Sequence, residues 1–181
     1  MRDGRGGGWL SDAGAEPVIQ TEVAEVFAST KRCYVTLETV AGTLFDDGGI
    51  EFENEWPASV NSSSRFDMCV WSRSFKVSGI LEFKRSLEEW QFRKDIARTS
   101  GMVHHFGKIA GGPLRYAMLG MYIWGENERH LKTVHQRIER AFEDEAYETT
   151  DWYLGYGKLN HFCNDLKGED YLQQSVIAYF A

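Results

Sequence analysis

Along the first third of the chain, Val23, Phe27, Thr30, Tyr34, Leu37, Ala41 and Leu44 follow one another at alternating steps of four and three. That spacing describes one face of a long helix beginning near Val18, or of two helical pieces. A strand over 34–40 is the rival reading, because those residues are mostly β-branched or aromatic; the sustained spacing favours helix. Asp46-Asp47-Gly48-Gly49 is a turn signal. Three strands are expected after it, over 50–56, 65–71 and 76–84. Pro57 and the Asn61 to Ser64 stretch separate the first two, and a short hairpin over 72–75 joins the last two.

Ser86 is placed to cap the next helix, with Glu88 and Glu89 in a first turn whose dipole favours anions. That helix is expected to run to Ser100 and stop at Gly101. A loop carrying His104-His105 and Gly111-Gly112-Pro113 then leads to 114–124, apolar on both faces apart from Arg115, as a central strand would be. Over 126–147, Leu131, Val134, Ile138, Ala141 and Phe142 make one stripe of a further helix. The aromatic tail over 151–181 is ambiguous, with a short helix expected around 171–179. The pattern thus predicts an α/β domain, with a mixed central sheet flanked by helices and an additional C-terminal helical region. Residues 1–17 hold a Gly-rich stretch without periodicity and read as a flexible arm; residues 18–181 read as one domain.

Composition narrows the class. The chain has 181 residues, 43% of them hydrophobic and 26% charged, enough for a real core and unlike a disordered chain. Three Cys, none in a CxxC pair, suggest neither a disulfide framework nor zinc. No apolar run approaches membrane-span length and no signal-peptide core is readable, so no membrane partner is expected and a reducing cytoplasm is the default location. The net charge of -7 argues against coating nucleic acid by charge alone.

The chemistry concentrates in Arg65-Phe-Asp67-Met-Cys-Val-Trp71 and Gly79-Ile-Leu-Glu82-Phe-Lys84-Arg85. Two neighbouring apolar strands each carry charge where strands usually carry none. Period two puts Glu82 and Lys84 on one face, and in a hairpin Asp67 can lie close to Glu82. Two carboxylates held together repel unless a cation lies between them, and hard divalent ions favour such oxygen donors. The plainer reading is a surface ion pair of Glu82 with Lys84 or Arg85, worth little in stability. The apolar setting of both strands counts against it.

Asp67 followed on the next strand by Glu82-Phe83-Lys84 resembles the PD-(D/E)XK nuclease superfamily, the restriction-endonuclease-like fold, although Phe66 stands where its name-giving motif has Pro. The resemblance covers roughly residues 18–125 and implies an αβββαβ core of that type. It further implies a Mg²⁺-dependent nuclease (Mn²⁺ as substitute) hydrolysing nucleic acid, with DNA expected. Asp67 and Glu82 would bind the metal and Lys84 would activate water. Family members often add an acid from the first helix, for which Glu22 is the choice over Glu25. Glu53, Glu55 and Gln91 are further candidates. A solvated helix face explains Glu22 and Glu25 as well, and an exposed edge strand explains Glu53 and Glu55. Nucleases of this fold often dimerise, so a homodimer or a protein partner is open.

Other features invite plainer readings. His104-His105 lacks a third ligand at metal spacing, His130 and His135 do not stack on one helix face, Cys69 packs in its strand, and Lys108 lacks a phosphate-loop frame. Arg85, Arg93, Lys94 and Arg98 suggest a modest phosphate-facing ridge, or an ordinary helix surface with pairs such as Glu89–Arg93. Beside the nuclease stands a different class of function: a non-catalytic binding or regulatory protein that retains the fold, to which the acidic balance is suited.

Overall fold

The computed structural model describes residues 16–48, 60, 61, 63–84, 88–164 and 169–181. Among these residues, four helices flank a mixed seven-stranded sheet. In chain order the elements are α1 (Glu16–Ser29), β1 (Cys33–Val40), α2 (Ala41–Gly48), β2 (Arg65–Ser72), β3 (Val77–Lys84), α3 (Glu89–Phe106), β4 (Tyr116–Gly125), α4 (Glu128–Glu145), β5 (Trp152–Tyr156), β6 (Asn160–Asn164) and β7 (Glu169–Phe180). Across the sheet the order is β1-β2-β3-β4-β7-β5, and β6 shares the outer edge of β7 with β5. Only β3 and β4 run parallel, joined through α3; every other neighbouring pair is antiparallel.

Alternation along the central strands divides the core in two. Cys69, Trp71 and Ile80 face the larger cluster, where α2, α3 and α4 contribute Leu44, Ile96 and Phe142. Met68, Val70, Leu81 and Phe83 face the other way, where α1 lays Ile19, Val23 and Phe27 over them. On α4 the expected stripe of Leu131, Val134, Ile138, Ala141 and Phe142 is buried. Asn127 caps that helix, its side-chain oxygen accepting the His130 amide at 2.9 Å.

Three expectations are corrected. The long helix over 18–44 is instead helix, strand, helix. Thr30 and Lys31 close α1 by donating their amides to the carbonyls of Phe27 and Ala28, and Lys31 takes the left-handed φ of 55° that ends many helices. The chain then pairs with β2 over its whole length, from Cys33 opposite Ser72 to Val40 opposite Arg65. Long-range pairing outweighs a helical spacing that local contacts alone would have to hold.

The helix expected to stop at Gly101 continues to Phe106, so His104 and His105 lie in its last turn, not in a loop. Gly101 is there for packing: a Cβ on it would meet the Tyr147 ring at 3.1 Å. The helix expected around 171–179 is β7, and β5 and β6 also occupy the tail, so the C-terminal helical region reduces to α4. Leu172, Val176 and Phe180 recur every fourth residue, a multiple of both the strand period and, nearly, the helix period. Residues 1–15 of the arm, the strand expected over 50–56 and the Ser86 cap lie outside the described residues; residues 16 and 17 already belong to α1.

This division of buried and exposed positions predicts two contrasting substitutions. Phe142→Ala, fully buried between α3, α4 and β7, should cost about 3–5 kcal/mol of unfolding free energy. Val26→Ala on the exposed side of α1 should stay within about 0.5 kcal/mol. Urea denaturation followed by circular dichroism measures both.

Candidate active site

The β2–β3 ladder runs from Trp71 opposite Val77 to Met68 opposite Leu81 and ends there. One step further, Asp67 and Glu82 stand opposite each other without a ladder between them. The Phe83 amide donates instead to Asp67 Oδ2 at 2.6 Å, so a side chain takes over where backbone pairing stops. On the other flank, Glu38 of β1 stands opposite Asp67, between the Leu37–Met68 and Thr39–Phe66 pairs, with a left-handed φ of 51°. One row across β1, β2 and β3 thus carries Glu38, Asp67 and Glu82. Carboxylates opposed in this way destabilise a sheet unless cations answer them.

The cations come from β3 and α3. Glu82 is 1% exposed and Asp95, on α3, is equally buried. Arg98 Nη2 lies 2.6 Å from Glu82 Oε1 and donates to Asp95 Oδ1 at 3.1 Å. Lys84 Nζ lies 3.7 Å from Glu82 Oε2 and 3.4 Å from Asp95 Oδ2. Asp95 and Arg98 reach the same point because they lie one turn apart on α3. The Arg98 guanidinium also lies over the Phe66 ring, 5.7 Å from its centre. Glu82 Oε1, Asp95 Oδ2 and Arg98 Nε nevertheless find no aligned hydrogen-bond partner, so charge attraction more than directed hydrogen bonding holds this cluster.

Burial dominates the acid–base character. It pushes the Glu82 carboxyl up to about 8, with the charges of Asp67 and Asp95 adding to the rise and those of Arg98 and Lys84 opposing it. Burial also raises Asp67, partly offset by the Phe83 amide and the Lys84 charge, while the Glu38 charge raises it further. For Lys84, burial works against the ammonium, but Glu82, Asp95 and Asp67 outweigh it and the pKa rises. Lys84 therefore stays charged at neutral pH, and the two acids hold their protons more tightly than free carboxylates.

Asp67, Glu82 and Lys84 are brought together as expected. Glu22 and Glu25 are exposed on α1. The α1 residue that approaches the row is buried Gln20, whose Nε2 donates to Glu38 Oε1 at 3.5 Å. Gln91 is half-buried in the first turn of α3, and Glu53 and Glu55 lie outside the described residues. The sequence pattern does not pick out Glu38, Gln20 or Asp95, and it marks Arg98 only as part of a phosphate-facing ridge. Glu38 was hidden by the helical reading of its strand, but the i,i+3 spacing of Asp95 and Arg98 on the helix after Lys84 could have pointed to them.

The described members of the basic ridge are not free, and Arg85 lies outside the described residues. Arg93 pairs with Glu89, Asp144 and Glu145, Arg137 pairs with Glu89, Lys94 lies over the Trp90 ring, and Arg98 belongs to the buried cluster. His104 bonds Thr149 and stacks on Tyr147, and His135 contacts Gln174. Buried Cys69, its thiol pushed up to about 12 by burial, is inert.

A hard divalent cation fits the row in its chemistry: two oxygen-donor carboxylates, both raised by burial, Asp67 further by the Glu38 charge and Glu82 further by the Asp67 charge, with water and substrate phosphate to complete the shell. Among the described residues no group of three or more His, Cys, Asp and Glu is disposed to hold a metal ion, so the fit rests on the Asp67–Glu82 pair. No protein-family model, curated protein or solved structure matches the chain.

The raised Glu82 pKa has a signed consequence. The unfolded carboxyl loses its proton near 4.5 and the folded one near 8, so between these values the folded state binds more protons. Stability then falls with rising pH. The stability of the wild type relative to Glu82→Gln, which cannot titrate there, should therefore decline from pH 5 to pH 8. Chemical denaturation across that range, on both proteins, measures it.

Proposed function

We propose that the chain is a Mg²⁺-dependent nuclease-like protein of the PD-(D/E)XK type, hydrolysing nucleic-acid phosphodiesters, with DNA as the expected substrate. The observation that carries this reading is the convergence of Asp67, Glu82 and Lys84 where β2 and β3 part, with both acids raised by burial. Supporting it is the connectivity around the site: a helix, three antiparallel strands β1-β2-β3, then α3 leading into β4 parallel to β3, with α2 inserted after β1.

A bound Mg²⁺ would supply charge neutralisation at the scissile phosphate. Asp67 and Glu82 would hold it. The Phe83 amide keeps the Asp67 carboxylate turned toward Glu82's strand and fixes its rotamer. Lys84, held charged by Glu82 and Asp95, orients the attacking water and stabilises negative charge as it develops on phosphate oxygens. The Asp95 carboxylate positions both Lys84 and Arg98 and touches nothing that reacts.

A second reading has its own observation. Glu82 and Asp95 are already answered by Arg98 and Lys84 in one buried cluster, as in a protein that kept the fold for binding or regulation. In that case calorimetric titration with Mn²⁺ would show no uptake that depends on Asp67 and Glu82.

With Mg²⁺ present, the wild type should nick supercoiled DNA, and EDTA should abolish the cleavage. Asp67→Ala and Lys84→Ala should each fall below about one hundredth of wild-type activity, the loss usual for such groups. Their circular dichroism should remain unchanged. Equal activity in all three proteins would overturn the assignment.

A further inference from the structure

Among the described residues, the sheet face that α1 covers is only half covered. The contacts of α1 lie on β2 and β3 and end at Tyr116 and Met118 of β4. Beyond that border the same face continues over β4, β7 and β5. There Tyr122, Trp124, Tyr153 and Ile177 are 39%, 57%, 61% and 47% exposed. Their sequence neighbours Ile123, Val176 and Ala178 point the other way, into the main core.

Among the described residues, this face carries no charge over β4, β5 and the 171–179 stretch of β7; Glu169, at the start of β7, is its one charged position. Its β4 positions run Tyr116, Met118, Gly120, Tyr122, Trp124; its β7 positions alternate from Tyr171 through Gln173, Ser175 and Ile177 to Tyr179; β5 adds Tyr153 and Gly155. A surface that tracks a nucleic-acid backbone needs cations beside its aromatic rings. None of these positions supplies one. For a chain of net charge -7, approach of a second copy is repelled on average, and the uncharged stretch around Ile177 is where that repulsion is weakest.

Its shape points the same way. Ile177 stands opposite Gly120 on one side and Gly155 on the other. The Gly120 side is lined by the Phe83 ring, 3.2 Å from where a Cβ would be. The Gly155 side is open, with only the Ile177 carbonyl oxygen, 3.8 Å away, near such a Cβ. Tyr179, its ring centre 6.5 Å from that of Tyr153 and 5.9 Å from that of Tyr116, forms a wall along this row. A projecting Ile beside an open hollow on one surface is self-complementary under two-fold symmetry, each copy placing its knob in the other's hollow. We infer that the β4–β7–β5 face docks a second copy of this chain, with Ile177 of each copy seated over Gly155 of the other.

The inference is independent of the nuclease reading, because it uses none of the residues around Asp67. Sedimentation equilibrium of the full chain should show a monomer–dimer equilibrium at up to about 100 µM, as suits a patch at the small end of specific interfaces. Added salt should strengthen it by screening the net charge. Ile177→Arg places a charge in the face, and Gly155→Met fills the hollow without one. Both should be monomeric throughout while melting like the wild type. A wild type that stays monomeric, or variants that still dimerise, would overturn the inference. So would binding of a fluorescein-labelled single-stranded DNA that Ile177→Arg abolishes, which would make the face a base-stacking surface instead.

Discussion

A carboxylate cut off from water governs the middle of this molecule. Glu82 sits on a central strand, 1% exposed, with Asp67 opposite it. Burying even one such group uncompensated costs several kcal/mol or forces it to hold its proton. The fold answers with both remedies. Arg98 and Lys84 bring charge to it, and its proton affinity rises toward neutrality. The crossover helix between β3 and β4 is therefore more than a connection. Its Ile96 closes the main core, and its Asp95 and Arg98 complete the electrostatics of the strand it follows.

The same cluster bears on both functional readings. Each close contact that makes Glu82 tolerable in the sheet also occupies an oxygen that a cation would take. Lys84 bridges the two roles, since it lies between Glu82 and Asp95 while remaining partly open to solvent. The left-handed backbone at Glu38 is a further local departure in the same row, and non-glycine residues in that region are held there by their surroundings. Departures of this kind concentrate where a structure serves something besides its own stability.

Much of this was legible in the sequence where local pattern and tertiary need agree. On α4 an apolar stripe and an Asn cap coincide. On β2 and β3 charge interrupts apolar strands, and the interruption marked Asp67, Glu82 and Lys84. Legibility failed where one spacing serves two periods. Leu172, Val176 and Phe180 fit a strand or a helix equally, and the choice is made by β4, β5 and β6, which no local window contains. It failed again at Gly101, where a glycine that admits the Tyr147 ring looks like a helix stop. Gln20 and Glu38 escaped because their role depends on which strand lies opposite which.

The position of β7 has a consequence for how the chain is made. Strands β4, β5 and β6 all precede it, and each pairs with it. During synthesis β1, β2, β3 and β4 can assemble with α3 as soon as they emerge, since their partners are already present. The other half of the sheet has no ladder to join until β7 emerges. Until then the far edge of β4 is an unpaired template of the kind that recruits other chains. The nascent protein thus passes through an interval in which the elements that carry its site are already paired while one edge stays open, and that interval closes when β7 inserts between its neighbours.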